Sequence, residues 1–420
     1  MRRAALYICY DNITEPLVQT QVVAYLRELS RRDIEMHLLT FERQRHSLEK
    51  QRAISEYLDM SGIQWHALRY HQRPSLPATI YDIFVGTLTA MRICRKHRIQ
   101  LVHARSHVPA AMAYMLKRIL RCRFLFDLRG LLAEEYVDAA NWTQGDLKFR
   151  LTKRMEHAFF RNADALVMLT HRIKHELVKK EPALHHRANS IHVIPCCVDV
   201  ERFSVDREQR LAYREKRGWT ERRVLTYVGK LGTWYLAEEM ARFFARARMR
   251  DSRLFFQVLT QSDPAPMQQA LQANGVSSED YEIRFARPDD LPILLAASDA
   301  GISFIRAAYS KRASSPTKLG EYFAAGLPIV ANAGVGDIDE IVDAHRLGVI
   351  VQDYSDEGYD NAAFKLSTLL EDESAARRCR EFAGQSLSLS KVGGPRYGAI
   401  YEYLFDTANS QSLLEAAEIG

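Results

Sequence analysis

A short segment in the second half of the chain, SSPTKLGE, combines residue types that can bind phosphate and hydroxyl groups. Ser315 can cap a helix, and Pro316 suits its first position, where no N–H group is needed. Thr317 and Lys318 would then present free N–H groups at a helix N-terminus, where the helix dipole and the lysine charge favour an anion. Glu321 follows one turn later, so its carboxylate could accept hydrogen bonds from two adjacent hydroxyls of a ribose whose phosphates lie at the helix tip.

The residues that follow predict the elements that hold this segment in place. Leu319, Tyr322 and Phe323 recur at helical spacing, and Gly326 marks the end of the helix. The run from Leu327 to Asn332 is short and apolar, as expected of a buried strand. The segment is therefore predicted to be a loop that enters a helix just before a strand.

Short apolar runs alternate with helical patterns along the whole chain. In the first half the predicted strands are Ala5 to Asp11, Glu35 to Phe41, Ile63 to Tyr70, Leu101 to Arg105, Arg123 to Asp127, Ala165 to Thr170 and Ile191 to Cys196. In the second half they are Val224 to Lys230, Leu254 to Thr260, Tyr281 to Arg287, Gly301 to Ile305, Leu327 to Asn332 and Gly348 to Gln352. Alternation of strand and helix predicts an α/β protein with doubly wound parallel sheets.

Polar and basic residues recur where these strands end. In the first half they are Asp11, Asn12, Arg105, His107, Asp127 and Arg129, and in the second half Gly229, Lys230 and Arg287. Ligands of open α/β sheets bind outside the carboxyl ends of the strands, so these residues are candidates for a charged donor and a hydroxylated acceptor. For Asp127 and Arg129 the sequence leaves two interpretations open, a mutual salt bridge or acceptor binding.

Composition narrows the class of protein. The chain has 420 residues, of which 47% are hydrophobic and 26% charged, as in soluble proteins of two or three domains. No window is apolar enough to span a membrane, and the N-terminus lacks the features of a signal peptide. Six cysteines without metal-ligand spacing indicate reduced core thiols, and a net charge of +6 comes without any nucleic-acid-binding motif. We therefore expect a cytoplasmic protein that does not bind nucleic acid.

The segment SPTKLGEYFAAGLPIVAN resembles the donor-nucleotide motif of the GT-B glycosyltransferases, of the retaining family-4 type. The resemblance implies two Rossmann-like domains that face each other across a cleft. Residues 1–205 would form the acceptor domain and residues 206–390 the nucleotide-sugar domain. A C-terminal helix within residues 391–420 would cross back to the N-terminal domain.

The resemblance also implies roles for individual residues. Glu321 matches the second of two family glutamates, the ribose ligand, whereas Ala313 stands where the first would fall. The implied donor-nucleotide contacts are Gly229, Arg287, Ser315, Thr317, Lys318, Leu319 and Glu321. Lys230, Lys318 and His107 would be the catalytic residues, and His107 resembles the histidine that approaches the donor sugar. Asp11, Asn12, Arg105, Asp127 and Arg129 would lie on the acceptor side.

The activity implied is that of a hexosyltransferase in polysaccharide biosynthesis, which moves a sugar from a nucleotide sugar to a hydroxyl of a glycan, lipid-linked or small-molecule acceptor. Transfer would proceed with retention and without a metal ion or cofactor, and a UDP-sugar is favoured over a GDP-sugar as co-substrate. If the enzyme inverts instead, Asp11, Asp127 or His107 is the candidate base. Two alternatives remain: a nucleotide-sugar 2-epimerase of the same fold, and a non-catalytic protein that binds nucleotides or polyanions.

A helix predicted from Asp146 to Arg161 suggests a membrane contact. Leu147, Leu151, Met155 and Phe159 form an apolar row, and basic residues flank it. Peripheral binding to the cytoplasmic face of an anionic membrane is one interpretation. The other is that the apolar row is simply part of the core and the basic residues a solvated face.

Overall fold

The computed structural model describes residues 3–44 and 46–406, which form two compact units. The first unit takes the described residues up to Pro195 and again from Leu389 onward, and the second takes Cys196–Ser388. Residues 196–205 were predicted to belong to the first domain, but in the structure they belong to the second unit. The Val198 N–H group donates to the carbonyl of Leu387 at 2.8 Å, and Phe203 packs in the core of the second unit.

The first unit is built on a parallel sheet of seven strands in the order β3-β2-β1-β4-β5-β6-β7. The strands are β1 Arg3–Cys9, β2 Ile34–Glu42, β3 Ile63–Arg69, β4 Leu101–Arg105, β5 Arg123–Leu128, β6 Ala165–Met168 and β7 Ile191–Val193. The helices are α1 Pro16–Val18, α2 Ala24–Ser30, α3 Leu48–Asp59, α4 Ser75–His97, α5 His107–Leu120, α6 Leu132–Asp138, α7 Leu147–Asn162 and α8 His171–Lys180. Strand β1 is buried on both faces after its first residue, as in sheets that helices cover on both sides.

The second unit repeats this architecture with six parallel strands in the order β10-β9-β8-β11-β12-β13. The strands are β8 Arg223–Val228, β9 Leu254–Leu259, β10 Tyr281–Arg284, β11 Ala300–Ser303, β12 Ile329–Asn332 and β13 Gly348–Val351. The helices are α9 Arg207–Lys216, α10 Ala237–Arg250, α11 Ala265–Ala273, α12 Leu291–Ala296, α13 Thr317–Ala325, α14 Ile338–His345, α15 Asp356–Glu371 and α16 Ala375–Ser386. The order reverses between β8 and β11, and ligands of such sheets bind at a reversal of this kind.

The last described helix, α17 Gly394–Phe405, returns to the first unit. The Tyr401 hydroxyl lies 2.9 Å from Nδ1 of His103, and the Tyr397 hydroxyl donates to Asp127 at 3.1 Å. Arg396 donates to the carbonyl of Val193 at 3.0 Å. The helix is thus attached to β4, to β5 and to the end of β7 by polar contacts as well as by its apolar face.

Every strand predicted from the sequence is present, which confirms the doubly wound α/β fold. Some strands end earlier than their apolar runs suggest; β10 ends at Arg284 because Phe285, 64% exposed, already lies outside the ladder. Helix α3 was not predicted, since it buries only Leu58 and therefore carries no apolar stripe. None of the described helices is long and apolar enough to cross a bilayer.

The charged stretch 206–223 contains α9 and is anchored in the second unit. Arg214 on this helix is only 6% exposed. Its guanidinium donates to the carbonyls of Ala297 and Trp219 at 2.6 and 2.8 Å and pairs with Asp299 at 3.0 Å. Because a buried guanidinium needs several acceptors, this set of contacts fixes the helix against the start of β8.

Candidate active site

The loop before α13 differs in detail from the sequence prediction. The helix begins at Thr317, and Pro316 is its N-cap, without a side-chain cap. Ser315 does not cap the helix, because its hydroxyl accepts a hydrogen bond from the Cys196 N–H group at 3.1 Å. Gly326 ends the helix in the left-handed conformation, with φ of 82°, as the sequence predicts. The helix N-terminus is therefore open, and Ser315 connects it to the segment that enters the unit.

Lys318 is buried between two tyrosines rather than paired with an acid. Its Nζ lies 4.4 Å from the ring centroid of Tyr227 and 3.8 Å from that of Tyr235. It donates to the Tyr227 hydroxyl at 3.4 Å, the one hydrogen bond that this amine makes with the described residues. Burial lowers the pKa of Lys318 to about 7, and Glu321 opposes this shift only weakly. The amine therefore lacks the anionic partner that a buried lysine ordinarily has.

Gly229, at the end of β8, lies directly against this amine. Its φ is +139°, and a Cβ built there would lie 2.8 Å from Nζ of Lys318. Only glycine accommodates both the backbone conformation and the lysine without a shift. The structure thus brings together two predicted donor residues that are far apart in sequence.

Lys230 follows Gly229 and points away from the core. Its side chain is exposed and makes no hydrogen bond or ion pair with the described residues, whereas its carbonyl accepts from the Tyr227 hydroxyl at 2.6 Å. The Leu231 N–H group donates to Ser262 at 3.1 Å, which holds the loop to the end of β9. The backbone at Lys230 is therefore fixed while its amine is available to a ligand.

Glu321 accepts no hydrogen bond within the part of the chain that the structure describes. Burial raises its pKa to about 7, although Arg202 and Lys318 each act in the opposite direction. Arg202 also donates to the carbonyl of Pro288 and lies 3.8 Å from Asp289. Arg202 was not predicted as a site residue, because it follows no predicted strand. Its contact with the loop after β10 depends on the tertiary structure.

The remaining predicted donor residues divide into exposed and buried ones. Arg287 is exposed and precedes the short turn Pro288–Asp290. Thr317 is partly exposed at the first position of α13, where its N–H group is free of helical partners. Leu319 is 7% exposed and belongs to the apolar core, so its side chain supports the helix.

Two further cations lie around Trp234. Nζ of Lys311 is 3.8 Å from the indole, and the guanidinium carbon of Arg306 is 4.8 Å from it. Ala313, at the position of the first family glutamate, is 2% exposed and carries no polar group. Lys311 was not predicted as a site residue, because it lies in a 3-10 turn, Tyr309–Ala313, and not at the end of a strand.

In the first unit, the structure buries two residues expected on the acceptor side. Arg105 is 6% exposed, and Asp127, at 1%, lies 3.5 Å from Arg129 and 3.6 Å from His103. Burial by itself would raise the pKa of Asp127, but Arg129 and His103 outweigh it and hold the pKa at about 2. Oδ2 of this carboxylate accepts the hydrogen bond from Tyr397, whereas its buried Oδ1 lies 3.5 Å from Arg129 and has no hydrogen bond among the described residues.

His107, Asp11 and Asn12 also have partners in the first unit. His107 is 4% exposed, and its Nε2 lies 2.8 Å from Glu156, which Lys153 also contacts. Nδ1 of His107 is buried without a partner among the described residues. Asp11 accepts from the Cys9 thiol at 3.7 Å and Asn12 from the Thr14 N–H group at 3.3 Å, and both are partly exposed.

Comparisons with known families divide the chain in two. The family model described as Glycosyltransferase Family 4 matches residues 18–202, and the model described as Glycosyl transferases group 1 matches residues 209–386. No curated protein sequence matches the chain.

Several solved structures share the fold of the chain. A glycosyltransferase from Rickettsia africae is 14% identical, with a TM-score of 0.71 over 97% of this chain and 100% of that one. A sucrose-phosphate synthase from Thermosynechococcus elongatus has the same identity, TM-score and coverage. HepE from Anabaena, solved in complex with UDP and glucose, is 14% identical, with a TM-score of 0.67 over 92% of this chain and 96% of that one.

Proposed function

Since the chain belongs to the family-4-like GT-B glycosyltransferases, we propose that it transfers a sugar, with retention, from a UDP-sugar to a hydroxyl of a glycan or lipid-linked acceptor. The observation that carries the donor assignment is Lys318, a buried amine at an open helix N-terminus that forms no salt bridge among the described residues. A diphosphate at this position would supply the missing charge and would hold the lysine in its protonated form.

The residues around Lys318 support the rest of the donor. Gly229 leaves space beside the amine, and the Thr317 N–H group faces the same helix tip. Glu321, one turn further along, has a free carboxylate for the two hydroxyls of a ribose. UDP as the nucleotide is supported by analogy with HepE, whose solved complex contains UDP.

The proposed chemistry depends on stabilising the leaving diphosphate. Negative charge grows on the phosphate oxygen as the bond to the sugar breaks, so cations held close to it lower the barrier. Lys318, Lys230 and the N-terminus of α13 would supply this charge without a metal ion. A phosphate oxygen of the leaving group would take the acceptor proton on the same face, and a dedicated base would not be needed. The buried state of Asp127, Arg105 and His107 supports this mechanism over one with a base from the first unit.

The acceptor is proposed to be presented by a membrane, on the strength of α7. Leu147 and Leu151 are 76% and 44% exposed, whereas Phe159 at the other end of the row is buried. Exposed Lys148 and Arg150 lie beside the two leucines. Such a combination suits the boundary of an anionic bilayer, and we place the enzyme at the cytoplasmic face on this basis.

Mass spectrometry of donor and acceptor mixtures tests the function. The purified chain is incubated with each of several UDP- and GDP-sugars, with and without glycan and lipid-linked acceptors. We expect UDP release and an acceptor that gains one sugar, with little donor consumed in the absence of acceptor. Conversion of the donor sugar without acceptor would identify an epimerase, and donor binding without turnover on any acceptor would identify a binding protein.

A further inference from the structure

A group of histidines and a glutamate lies in the first unit, whereas every residue assigned to the donor belongs to the second. Glu35 and His37 are two residues apart on β2 and therefore point to the same face of the sheet. Gln64 on the edge strand β3 pairs in register with His37, so it shares that face. His97, the last residue of α4, reaches the same place from the helix that follows β3.

Three of these side chains have the separations of metal ligands. Oε1 of Glu35 is 3.2 Å from Nε2 of His37 and 3.8 Å from Nδ1 of His97. One ligand atom from each of the three residues lies within 4.8 Å of the others. A tetrahedral zinc ion with bonds of about 2.0–2.1 Å places its ligand atoms about 3.3 Å apart, so only small side-chain rotations would be required.

The cluster also contains the outer partners that metal sites use to orient their ligands. Nδ1 of His37 lies 3.1 Å from Nε2 of His66, so His66 can accept its proton and leave the other nitrogen for a metal. Gln64 donates to Glu35 at 3.0 Å and fixes the carboxylate.

An ion could reach these ligands from solvent. The side chain of His37 is fully buried, but those of Glu35 and His97 are 15% and 19% exposed. Glu35 and Gln64 also line an open recess of about 990 Å³. The solvent side of the cluster therefore leaves room for a water molecule as a fourth ligand.

We propose that Glu35, His37 and His97 bind one Zn²⁺ ion, with His66 and Gln64 as positioning residues. Two histidine nitrogens, one carboxylate and a water make a ligand set that zinc accepts. The ion would connect β2 to the end of α4 and so fix the helix that crosses from the edge strand to β4. It lies in a different unit from Lys318 and Glu321, and its role is to stabilise the first unit.

Calorimetric titration of Zn²⁺ into the full-length chain, after removal of metals with EDTA and dialysis, tests the site. We expect binding of one ion per chain and a higher unfolding temperature of the zinc-loaded protein. Co²⁺ in place of Zn²⁺ should give the visible absorption of a tetrahedral site with nitrogen and oxygen ligands.

Variants separate the site from binding by surface histidines. His97→Ala and Glu35→Gln should abolish the one-to-one binding and the cobalt spectrum, and His66→Phe should weaken binding about 10- to 100-fold. His175→Ala, which removes an exposed histidine of α8, should bind as the unaltered chain does. Circular dichroism verifies that each variant is folded. Absence of binding to the unaltered chain, or equal binding by folded His97→Ala, would overturn the proposal and leave a hydrogen-bonded chain from Glu35 through His37 to His66.

Discussion

Lys318 and Glu321 lie on adjacent turns of one helix, and burial moves the pKa of each to about 7 from opposite sides. Neither residue has an ionic partner close enough to restore its ordinary charge. A ligand that brings phosphate to the amine and hydroxyls to the carboxylate would stabilise the charged form of both. The two shifted pKa values support the proposal that both residues belong to a single nucleotide site.

Glu321→Ala should weaken binding of the donor and of UDP. A hydrogen bond to a charged group contributes about 1.5–3 kcal/mol, which corresponds to a rise in Kd of about 10- to 150-fold. Isothermal titration calorimetry with UDP measures the change, and Glu373→Ala, which alters an exposed glutamate of the same unit, is the matched control. Unchanged affinity in the folded Glu321→Ala variant would remove the residue from the site.

Lys230→Ala should lower turnover more than it lowers donor affinity. The exposed amine would meet charge that grows on the leaving phosphate, so its effect is largest in the transition state. We expect kcat to fall about 100-fold, with a much smaller change in the Kd for UDP-sugar. Lys365→Ala, at another exposed lysine of the second unit, should leave both constants unaltered. A loss of donor affinity with kcat unaltered would show that Lys230 serves binding alone.

At the scale of elements, α17 belongs to the first unit through buried polar contacts as well as apolar ones. The Tyr397 hydroxyl donates to Asp127 in a network that also includes Arg129 and His103. Because Asp127 and Tyr397 are buried, loss of this donor leaves the carboxylate with one hydrogen bond fewer and no water to replace it. Asp127, which was predicted to lie on the acceptor side, thus helps to hold α17 in place.

Tyr397→Phe should destabilise the first unit without changing its shape. The variant loses one hydrogen bond to a charged group, about 1.5–3 kcal/mol, and the corresponding unfolding transition should fall by several degrees. Tyr403→Phe alters a partly exposed tyrosine of the same helix and should have little effect. Scanning calorimetry of both variants measures the difference, and equal unfolding temperatures would show that the hydroxyl contributes nothing.

The proposed membrane contact depends on the first two turns of helix α7, where Leu147 and Leu151 are exposed. Replacement of both Leu147 and Leu151 by glutamate should abolish co-sedimentation with anionic liposomes at low salt, because it removes apolar area and reverses the local charge. Leu211→Glu, which changes a leucine of α9 that is 49% exposed, should sediment as the unaltered chain does. If the unaltered chain stays in the supernatant with anionic lipid at low salt, a soluble acceptor is preferred.

At the scale of the whole molecule, the charge that the proposed reaction needs comes from the protein. Lys318, Lys230 and Lys311 supply cations in the second unit. Asp337 and Asp339 form an Asp-x-Asp pair, a pattern that could hold a cation. Both oxygens of Asp339, however, accept from the Gly334 N–H group, at 3.2 and 3.0 Å. This carboxylate therefore stabilises the turn that leads into α14.

Transferase activity should therefore survive chelation. We expect the initial rate in EDTA to equal that in buffer, when it is measured well below the unfolding temperature of the EDTA-treated protein. Removal of the proposed zinc ion would lower that temperature but not the rate, since the ion lies in the first unit and the proposed diphosphate site belongs to the second. Loss of activity in EDTA that manganese restores would contradict the metal-independent mechanism.

The sequence by itself determined the local elements and their alternation. Buried parallel strands have continuous apolar sequences, and the helices between them have apolar residues at helical spacing. Both sheets could therefore be predicted from short stretches of sequence. Gly326 was correctly predicted to end α13 because a left-handed residue there is a property of the local backbone. Helix α3 was not predicted, because a helix with one buried residue has no pattern of apolar residues in its sequence.

Only the tertiary structure decided which side chains meet. Ser315 was a plausible cap by sequence, but the Cys196 N–H group competes for its hydroxyl. For Asp127 the sequence left open a salt bridge with Arg129 or acceptor binding, and in the structure it pairs with Arg129 and accepts from Tyr397 of α17. Glu35, His37 and His97 show no ligand spacing along the chain, and they meet because parallel strands and a crossing helix bring distant residues to one face. Local pattern records burial and backbone conformation, whereas contacts between distant residues depend on how the elements pack.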